Sequence, residues 1–332
     1  MKSLDTATKG EYNIKNAVEL FWGKQIANRT RGGEENMKTK YLAILYAIVA
    51  AALYAVNAPF SKVLLERVQP TMMAAFLYLG AGIGLFVYGT ALKAAGKAPS
   101  AEPLTKKELP YTLGMILLDI IAPILLMLGV RISTAANVSL VNNFEIVATS
   151  LVALLVFKEK ISRRLWIAIG LVTVASAILT FEGAGAFSFN VGSLFVCGAC
   201  LCWGIENNCT KMISSKSTTQ IVVLKGIFSG LGSLLVAFLV GEEVPGIAWI
   251  LWALLLGFVS YGLSIYLYIK AQKDLGAAKT SAYYSIAPFL GVTFGMVLLG
   301  ERPGLQFYVA LAVMVVSTWL MMRDTLKTEE TT

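Results

Sequence analysis

The chain has 332 residues and contains no histidine. Histidine is the commonest metal ligand and the usual proton relay near neutral pH, so its absence excludes histidine metal sites and imidazole relays. Any proton chemistry therefore falls to carboxylates, lysine or tyrosine.

Charged residues are also scarce. They make up 14% of the chain and hydrophobic residues 57%, whereas an ordinary soluble domain has about 25% charged and 45 to 50% apolar residues. The charges cluster in short stretches between long apolar runs, a pattern typical of a chain solvated by lipid. The net charge of +8 therefore does not imply a nucleic-acid partner.

The four cysteines all lie in one apolar run, at Cys197, Cys200, Cys202 and Cys209. The first three could form a soft-metal cluster. Small apolar packing residues are the interpretation we favour, because free cysteine behaves as a small hydrophobe. No metal and no cofactor is expected.

Ten segments meet or approach the ~20 apolar residues that a helix needs to cross a bilayer. The predicted spans are 41–60, 71–92, 109–130, 134–157, 165–180, 190–208, 219–239, 247–270, 276–299 and 305–322. No apolar core of signal-peptide type precedes residue 40, so we expect no cleaved leader. Residues 1–40 are predicted to form a polar cytoplasmic extension, and residues 323–332 a cytoplasmic tail.

Lysine and arginine are unequally divided between the two sides of these spans. With the N-terminus inside, the cytoplasmic segments hold twenty-two basic residues and the opposite face holds four. Basic residues concentrate on the cytoplasmic side of membrane proteins. Both termini are therefore predicted to be cytoplasmic.

An internal repeat relates the two halves of the chain. Residues 131–159 align without gaps on residues 273–301, and Glu159 falls on Glu301. A second correspondence sets Tyr54 on Trp203 and Asn57 on Glu206. Each half, 41–180 and 190–322, contains five predicted spans, and this odd number inverts the second half relative to the first. Inverted repeats are typical of transporters that alternate access around a midplane site.

Three short motifs resemble those of the EamA family, within the drug/metabolite transporter superfamily. They are the Leu-Gly-Glu-Arg-Pro ending at Pro303, the Phe-Lys-Glu-Lys-Ile ending at Ile161, and Ala287-Pro288. The first half departs from the last motif, because Glu145 and Ile146 stand at the matching positions. The resemblance implies a secondary transporter of the cell membrane, with helices around a central cavity, small organic cargo and, by default, export.

Three acids lie inside predicted spans: Asp119, Glu145 and Glu206. A carboxylate at the bilayer centre costs roughly 2.5 to 3.5 kcal/mol on insertion scales. Such an acid therefore usually lines a cavity, pairs with another group or has a function. The structural alternative is a hydrogen bond between helices by a protonated carboxyl, or an ion pair with Lys225 or Lys279.

The surroundings of Glu145 suggest a polar cavity with aromatic surfaces. Asn142 and Asn143 precede it, and Tyr283 and Tyr284 stand at or beside the matching positions of the second half. Amides and an acid from one half, with hydroxyls and rings from the other, would suit an organic solute carrying an amine.

A second polar cluster lies in span 190–208, where Glu206, Asn207 and Asn208 are consecutive. We expect it to line a cavity or gate together with Asn57, and the alternative is that the two asparagines mark the helix end. Lys225 is a candidate site residue, although it is near enough to its helix start to extend its side chain to the cytoplasm.

Two further features are predicted to be structural. Glu159 and Glu301 end their helices, beside the negative end of the helix dipole, and are expected to bond another element and hold the fold. Gly80, Gly82 and Gly84 lie within an apolar helix and predict close helix packing.

The leading hypothesis is a secondary carrier in which protonation of Glu145 is coupled to movement of a small metabolite or drug. The alternatives are an intramembrane lipid-modifying enzyme, disfavoured by the lack of histidine and of paired aspartates, and a channel or scaffold. No Walker-type nucleotide motif occurs. The expected partners are a small molecule, the bilayer and a proton, and the carrier could act as a monomer or homodimer.

Overall fold

A computed structural model describes residues 37–96, 101–132, 141, 144–179, 191–299 and 304–327. Within these ranges the chain is almost entirely helical and contains no strand. The chain divides into two compact units, Met1–Leu42 and Ala43–Thr332. All packing discussed below belongs to the second unit.

The helices overlap the predicted spans. They are α1 Met37–Ala55, α2 Asn57–Leu64, α3 Pro70–Ala94, α4 Leu109–Ile132, α5 Phe144–Leu155, α6 Arg163–Leu179, α7 Val191–Ile213, α8 Thr218–Leu239, α9 Ile247–Gly257, α10 Ser264–Leu275, α11 Ala277–Tyr284, α12 Ala287–Leu299 and α13 Leu305–Lys327. A π-helical turn, Phe258–Leu263, joins α9 to α10 without a break.

Six helical segments of the described residues are long and apolar enough to cross a membrane. They are Met37–Ala55, Pro70–Ala94, Lys106–Leu126, Thr218–Leu239, Ile247–Leu275 and Leu305–Leu326. The other four predicted spans are also helical where described. α5 and α6 are shorter, α7 is long but has a polar run that begins at Glu206, and span 276–299 is divided into α11 and α12.

Two predicted spans are interrupted, each at a fixed distance before a proline. α1 ends at Ala55, four residues before Pro59, and α11 ends at Tyr284, four residues before Pro288. Proline has no backbone N–H to give to the carbonyl four residues earlier. The predictions of continuous helices over 41–60 and 276–299 are therefore wrong in this respect.

Corresponding helices of the two halves pack on each other. α3 contacts α8, α5 contacts α11, and α6 contacts α13. These pairs come from the second, fourth and fifth predicted spans of each half. Contact between an element and its own counterpart is the arrangement expected near a two-fold axis that relates two repeats.

The glycines of α3 allow its close contacts with α8 and α9, as predicted. A Cβ at Gly82 would overlap the backbone at Gly226 of α8, and a Cβ at Gly226 would overlap Gly82 in return. A Cβ at Gly80 would overlap the backbone of Leu254 in α9. The prediction of close helix packing is confirmed.

The described part of the molecule has its polarity inverted relative to a soluble protein. Large apolar side chains such as Leu239, Leu155 and Ile247 are more than two-thirds exposed, whereas Asp119, Glu206 and Lys225 are buried. An apolar exterior around a polar interior is stable when the surrounding solvent is hydrocarbon.

Two carboxylates hold helix starts from distant parts of the chain. The Glu242 carboxylate accepts hydrogen bonds from the N–H groups of Thr71 and Met72 at 3.0 and 2.6 Å, at the start of α3. Glu159 Oε2 accepts from the N–H of Ala277, at the start of α11, at 3.1 Å. Acids at these positions satisfy free N–H groups and the positive end of the helix dipole.

The prediction that Glu159 bonds another element is confirmed. Its carboxylate also fills the position where a Cβ at Gly276 would lie, and Gly276 has φ of +85°. That residue therefore needs glycine for both its conformation and its contact. Glu301 lies outside the described residues.

Candidate functional site

Lys225 of α8 is shared by two acids from other helices. Its Nζ lies 2.8 Å from Glu206 Oε1 of α7 and 3.0 Å from Asp119 Oδ2 of α4. Lys225 is only 6% exposed, so the interpretation that its side chain extends to the cytoplasm is wrong. Asp119 and Glu206 therefore form the ion pair with Lys225 that was one of the structural alternatives. Lys279 instead pairs with Asp324 at 3.2 Å.

The two acids of this cluster have different remaining partners. Glu206 accepts a hydrogen bond from Lys225 and another from Thr210 one helical turn away. Asp119 Oδ1 accepts from the hydroxyl of Tyr78 at 3.2 Å. Asp119 Oδ2 is paired with Lys225 by charge but receives no hydrogen bond of good geometry from the described residues. With both acids ionised, the three groups carry a net charge of −1.

Glu145, at the start of α5, lies beside this cluster but outside it. Asn207 Nδ2 donates to Glu145 Oε1 at 3.1 Å and approaches Thr149 Oγ1 at 3.2 Å. Among the residues that the structure describes, no lysine or arginine lies within salt-bridge distance of Glu145. Glu145 is therefore the acid of the group that lacks a cationic partner there.

The asparagines of α7 are interior residues. Asn208 Nδ2 donates to the carbonyls of Thr149 and Gly204 at 3.0 and 2.8 Å, and Gln272 Nε2 donates to the carbonyl of Asn207 at 3.1 Å. α7 continues to Ile213, so the alternative that these asparagines mark a helix end is wrong. Together they join α7 to α5 and α10.

Five tyrosine rings form a continuous chain next to the acids. The successive ring centroids are 5.3, 5.6, 5.4 and 5.0 Å apart. The chain runs through Tyr78, Tyr261, Tyr54, Tyr284 and Tyr268. Three of these tyrosines come from predicted spans 1, 2 and 9, and the other two come from span 8. The chain of rings therefore joins helices of both halves.

Glu145 and three of these tyrosines are deep in the protein and yet partly accessible. Glu145, Tyr54, Tyr261 and Tyr284 lie deep among the helices, yet each keeps an intermediate solvent exposure. Deep placement together with residual exposure is the combination expected for the wall of a cavity. The Tyr284 hydroxyl is 3.1 Å from Ser264 Oγ, which donates to the carbonyl of Ala50.

The predicted site residues thus have different outcomes. The structure brings together Asp119, Glu145, Glu206, Asn207, Lys225 and Tyr284. Tyr283 is not part of this group, because it is buried in another packing cluster with its hydroxyl 3.0 Å from Thr325 Oγ1. Asn57 accepts a bond from Ser61 within α2. Asn142 and Asn143 lie outside the described residues.

Sequence reasoning missed Tyr78, Tyr261 and Tyr268 as site residues and used Tyr54 only for the repeat. Tyrosine in membrane proteins concentrates at the water interface. All four lie within predicted spans, and Tyr54, Tyr78 and Tyr261 lie well away from the ends of their spans. That placement is the signal that could have identified them.

A separate set of charges lies outside the apolar helices. Lys216 Nζ is 2.7 Å from Glu102 and 3.7 Å from Glu108, which connects the residues before α4 to the start of α8. The hydrogen bond from Lys216 holds the pKa of the Glu102 carboxyl below its usual value, and the same bond raises the pKa of Lys216.

Comparisons with known proteins agree with this architecture. The model of the EamA-like transporter family matches residues 41–181 and 190–323. An uncharacterized transporter of Methanothermobacter thermautotrophicus is 25% identical over 291 residues, which cover 82% of this chain and 84% of that protein. A crystal structure described only as that of a protein has a TM-score of 0.67 and 16% identity, over 89% of this chain and 99% of the other. This last likeness is one of fold.

Proposed function

Because the chain belongs to the EamA-like transporter family, we propose that it exports a small organic solute carrying an amine, such as an amino acid, in exchange for protons. The family itself makes the protein a multi-pass transporter of the cell membrane. The finer proposal concerns the cargo, the coupling ion and the direction, and it rests on the interior charges.

The proposed architecture is ten spans in two inverted halves, with both termini in the cytoplasm. The two consecutive family matches, 41–181 and 190–323, and the contacts between corresponding helices support the repeat. The excess of basic residues on one side supports the orientation. Two halves related in this way can exchange their conformations and expose a site between them to either side in turn.

The observation that carries the proposal is an interior carboxylate that has no cationic neighbour among the residues the structure describes. Glu145 is partly exposed within the interior, and it accepts a hydrogen bond from the Asn207 amide. An ionised carboxylate in such a place needs a cation, which either a proton or an ammonium group supplies. When the two compete for one carboxylate, binding of the amine releases the proton and the two movements become coupled.

The ion cluster has a different role in this proposal. Lys225, Asp119 and Glu206 connect α8, α4 and α7, and all three are at least nine-tenths buried. Their attraction fixes these helices beside Glu145 and leaves one excess negative charge. That charge favours a cation in the adjoining cavity over an anion.

Proton coupling is tested with the purified protein in proteoliposomes that enclose a pH-sensitive dye. A panel of amino acids, polyamines and small organic cations is added across an imposed gradient, and the lumenal pH is followed. We expect at least one compound to cause a proton flux with the parent protein, and Glu145→Gln to abolish it.

Glu66→Gln is the matched control, because Glu66 is an exposed acid away from this group. It should leave the flux unchanged. Counterflow of the same compound without any proton flux, in both parent and Glu145→Gln, would contradict the coupling and leave an uncoupled exchanger. A saturable flux distinguishes any carrier from a channel.

A further inference from the structure

Three departures from regular helix meet at the tyrosine chain. Tyr54 is the penultimate residue of α1, next to the interruption before Pro59, and Tyr284 is the last residue of α11, next to the interruption before Pro288. Tyr261 lies in the π-helical turn between α9 and α10. Each irregularity therefore lies beside one ring of the tyrosine chain.

The π turn is the most informative of the three. π-helical turns are rare in proteins and are frequent at functional sites. This one contains no proline, and it positions the Tyr261 ring 5.6 Å from Tyr54 and 5.3 Å from Tyr78. Ring packing alone does not require an irregular helix, so the position of Tyr261 points to a ligand.

The tyrosine chain presents mainly ring surface to a ligand, and fewer free hydroxyl groups. The Tyr78 hydroxyl is bonded to Asp119 and the Tyr284 hydroxyl to Ser264. A polyamine or a small hydrophilic amino acid would need polar partners along its length. Ring faces and edges instead suit a flat apolar body, because aromatic pairs gain energy from offset or edge contacts.

The charged groups near the tyrosine chain indicate the charge of the ligand. Glu145 of the same cavity lacks a cationic neighbour among the described residues, and Tyr78 connects the ring chain to the Asp119 cluster. We infer that the transported amine carries an aromatic ring, which lies against Tyr54, Tyr261 and Tyr284 while its ammonium group faces Glu145. Tyr261 is the residue that determines this specificity. The inference rests on the function proposed above.

Direct binding tests it, with the full-length protein in lipid nanodiscs and titration calorimetry as the measurement. The probes are 2-phenylethylammonium, 2-cyclohexylethylammonium, which has the same carbon skeleton without a flat ring, and butylammonium. We expect the phenyl compound to bind roughly five- to tenfold more tightly than the cyclohexyl compound, the size of an aromatic pair contact.

Variants of Tyr261 assign that preference to its ring. Tyr261→Phe should keep the preference and Tyr261→Leu should abolish it, with the cyclohexyl compound little affected. Tyr88→Leu is the control, because Tyr88 is 38% exposed and contacts Tyr266 outside this chain of rings. Thermal unfolding of each variant shows whether it is folded.

The outcomes separate this inference from the proposed function. Equal binding of the three amines, or a phenyl preference that survives in Tyr261→Leu, overturns the aromatic assignment while amine recognition stands. If no amine binds and Glu145→Gln changes nothing, the proposed function fails and this inference fails with it.

Discussion

The Tyr78 hydroxyl donates to Asp119 Oδ1 at 3.2 Å, and it connects the two chemically different walls of the interior. On one side of this bond Asp119 pairs with Lys225. On the other side the Tyr78 ring contacts Tyr261 and so begins the chain of tyrosines. A change at this bond therefore separates the charge cluster from the rings without removing either.

Tyr78→Phe keeps the ring and deletes the bond to Asp119. A buried carboxylate oxygen then loses its donor, and the free energy of unfolding should fall by about 1.5 to 3 kcal/mol, the usual range for hydrogen bonds to charged groups. Denaturant titration in mild detergent measures it. Tyr88→Phe, at an exposed tyrosine, should change little, and an equal loss in both variants would contradict the role given to the Tyr78 hydroxyl.

Lys225→Met should be among the most destabilising single changes in the protein. It leaves Asp119 and Glu206 buried without their cation, and breaking a buried pair in this way costs about 3 to 5 kcal/mol. Adding Glu206→Gln removes one of the unpaired charges and should recover part of the stability.

The matched control for that change is Lys216→Met. Lys216 also pairs with two acids, but near the surface, where Glu102 is largely exposed, and such pairs contribute little. The double-mutant series is measured by the same denaturant titration. Failure of Glu206→Gln to recover any stability would show that Lys225 is needed for a reason other than its charge.

The polar residues of the site could be predicted from the sequence, but their partners could not. Asp119, Glu145, Glu206 and Lys225 were all recognisable, because a charge inside an apolar span is costly. Whether an acid pairs with Lys225 or with Lys279 depends on which helices are neighbours. A single sequence contains no direct information on that point.

The aromatic wall was harder to predict for reasons of local geometry. Consecutive residues of a helix point about 100° apart, so only one of Tyr283 and Tyr284 can face a given cavity, and the spacing to Glu145 did not identify which. The interruptions before Pro59 and Pro288 agree with a known property of proline, but α4 continues through Pro123, so a proline in the sequence did not by itself place them. The π turn at Tyr261 has no such marker in the sequence.

Gly82→Ala tests the close approach of α3 and α8. A methyl group at this position overlaps the backbone of Gly226 and Ile227, and overpacking of this kind costs about 1 to 3 kcal/mol. Gly170→Ala is the control, since nothing lies within 4 Å of a Cβ there and alanine favours the helix by roughly 0.5 to 1 kcal/mol. The two melting temperatures should therefore shift in opposite directions.

Acid should release the contact between residues 102–108 and the start of α8. The pKa of Glu102 lies below its usual value because of Lys216. The pair is therefore fully formed above the pKa of an unfolded glutamate, and its stabilisation is lost as the pH falls through the lower folded value. The hydrogen-exchange protection of residues 101–108, corrected for the intrinsic effect of pH, should fall below about pH 4 in the parent. In Glu102→Gln the exchange should be fast at neutral pH already and show a weaker acid transition.

Glu242 and Glu243 provide a comparison between neighbouring acids. The Glu242 carboxylate accepts from two N–H groups at the start of α3, whereas at Glu243 the backbone N–H, not the exposed side chain, bonds Gln69 at 3.2 Å. Glu242→Gln should lower the free energy of unfolding by about 0.5 to 2 kcal/mol, the range for loss of a helix cap. Glu243→Gln should leave it unchanged. Because the two changes are chemically identical and adjacent, a similar loss from both would mean that net charge on this connection, not the bond to α3, determines the stability.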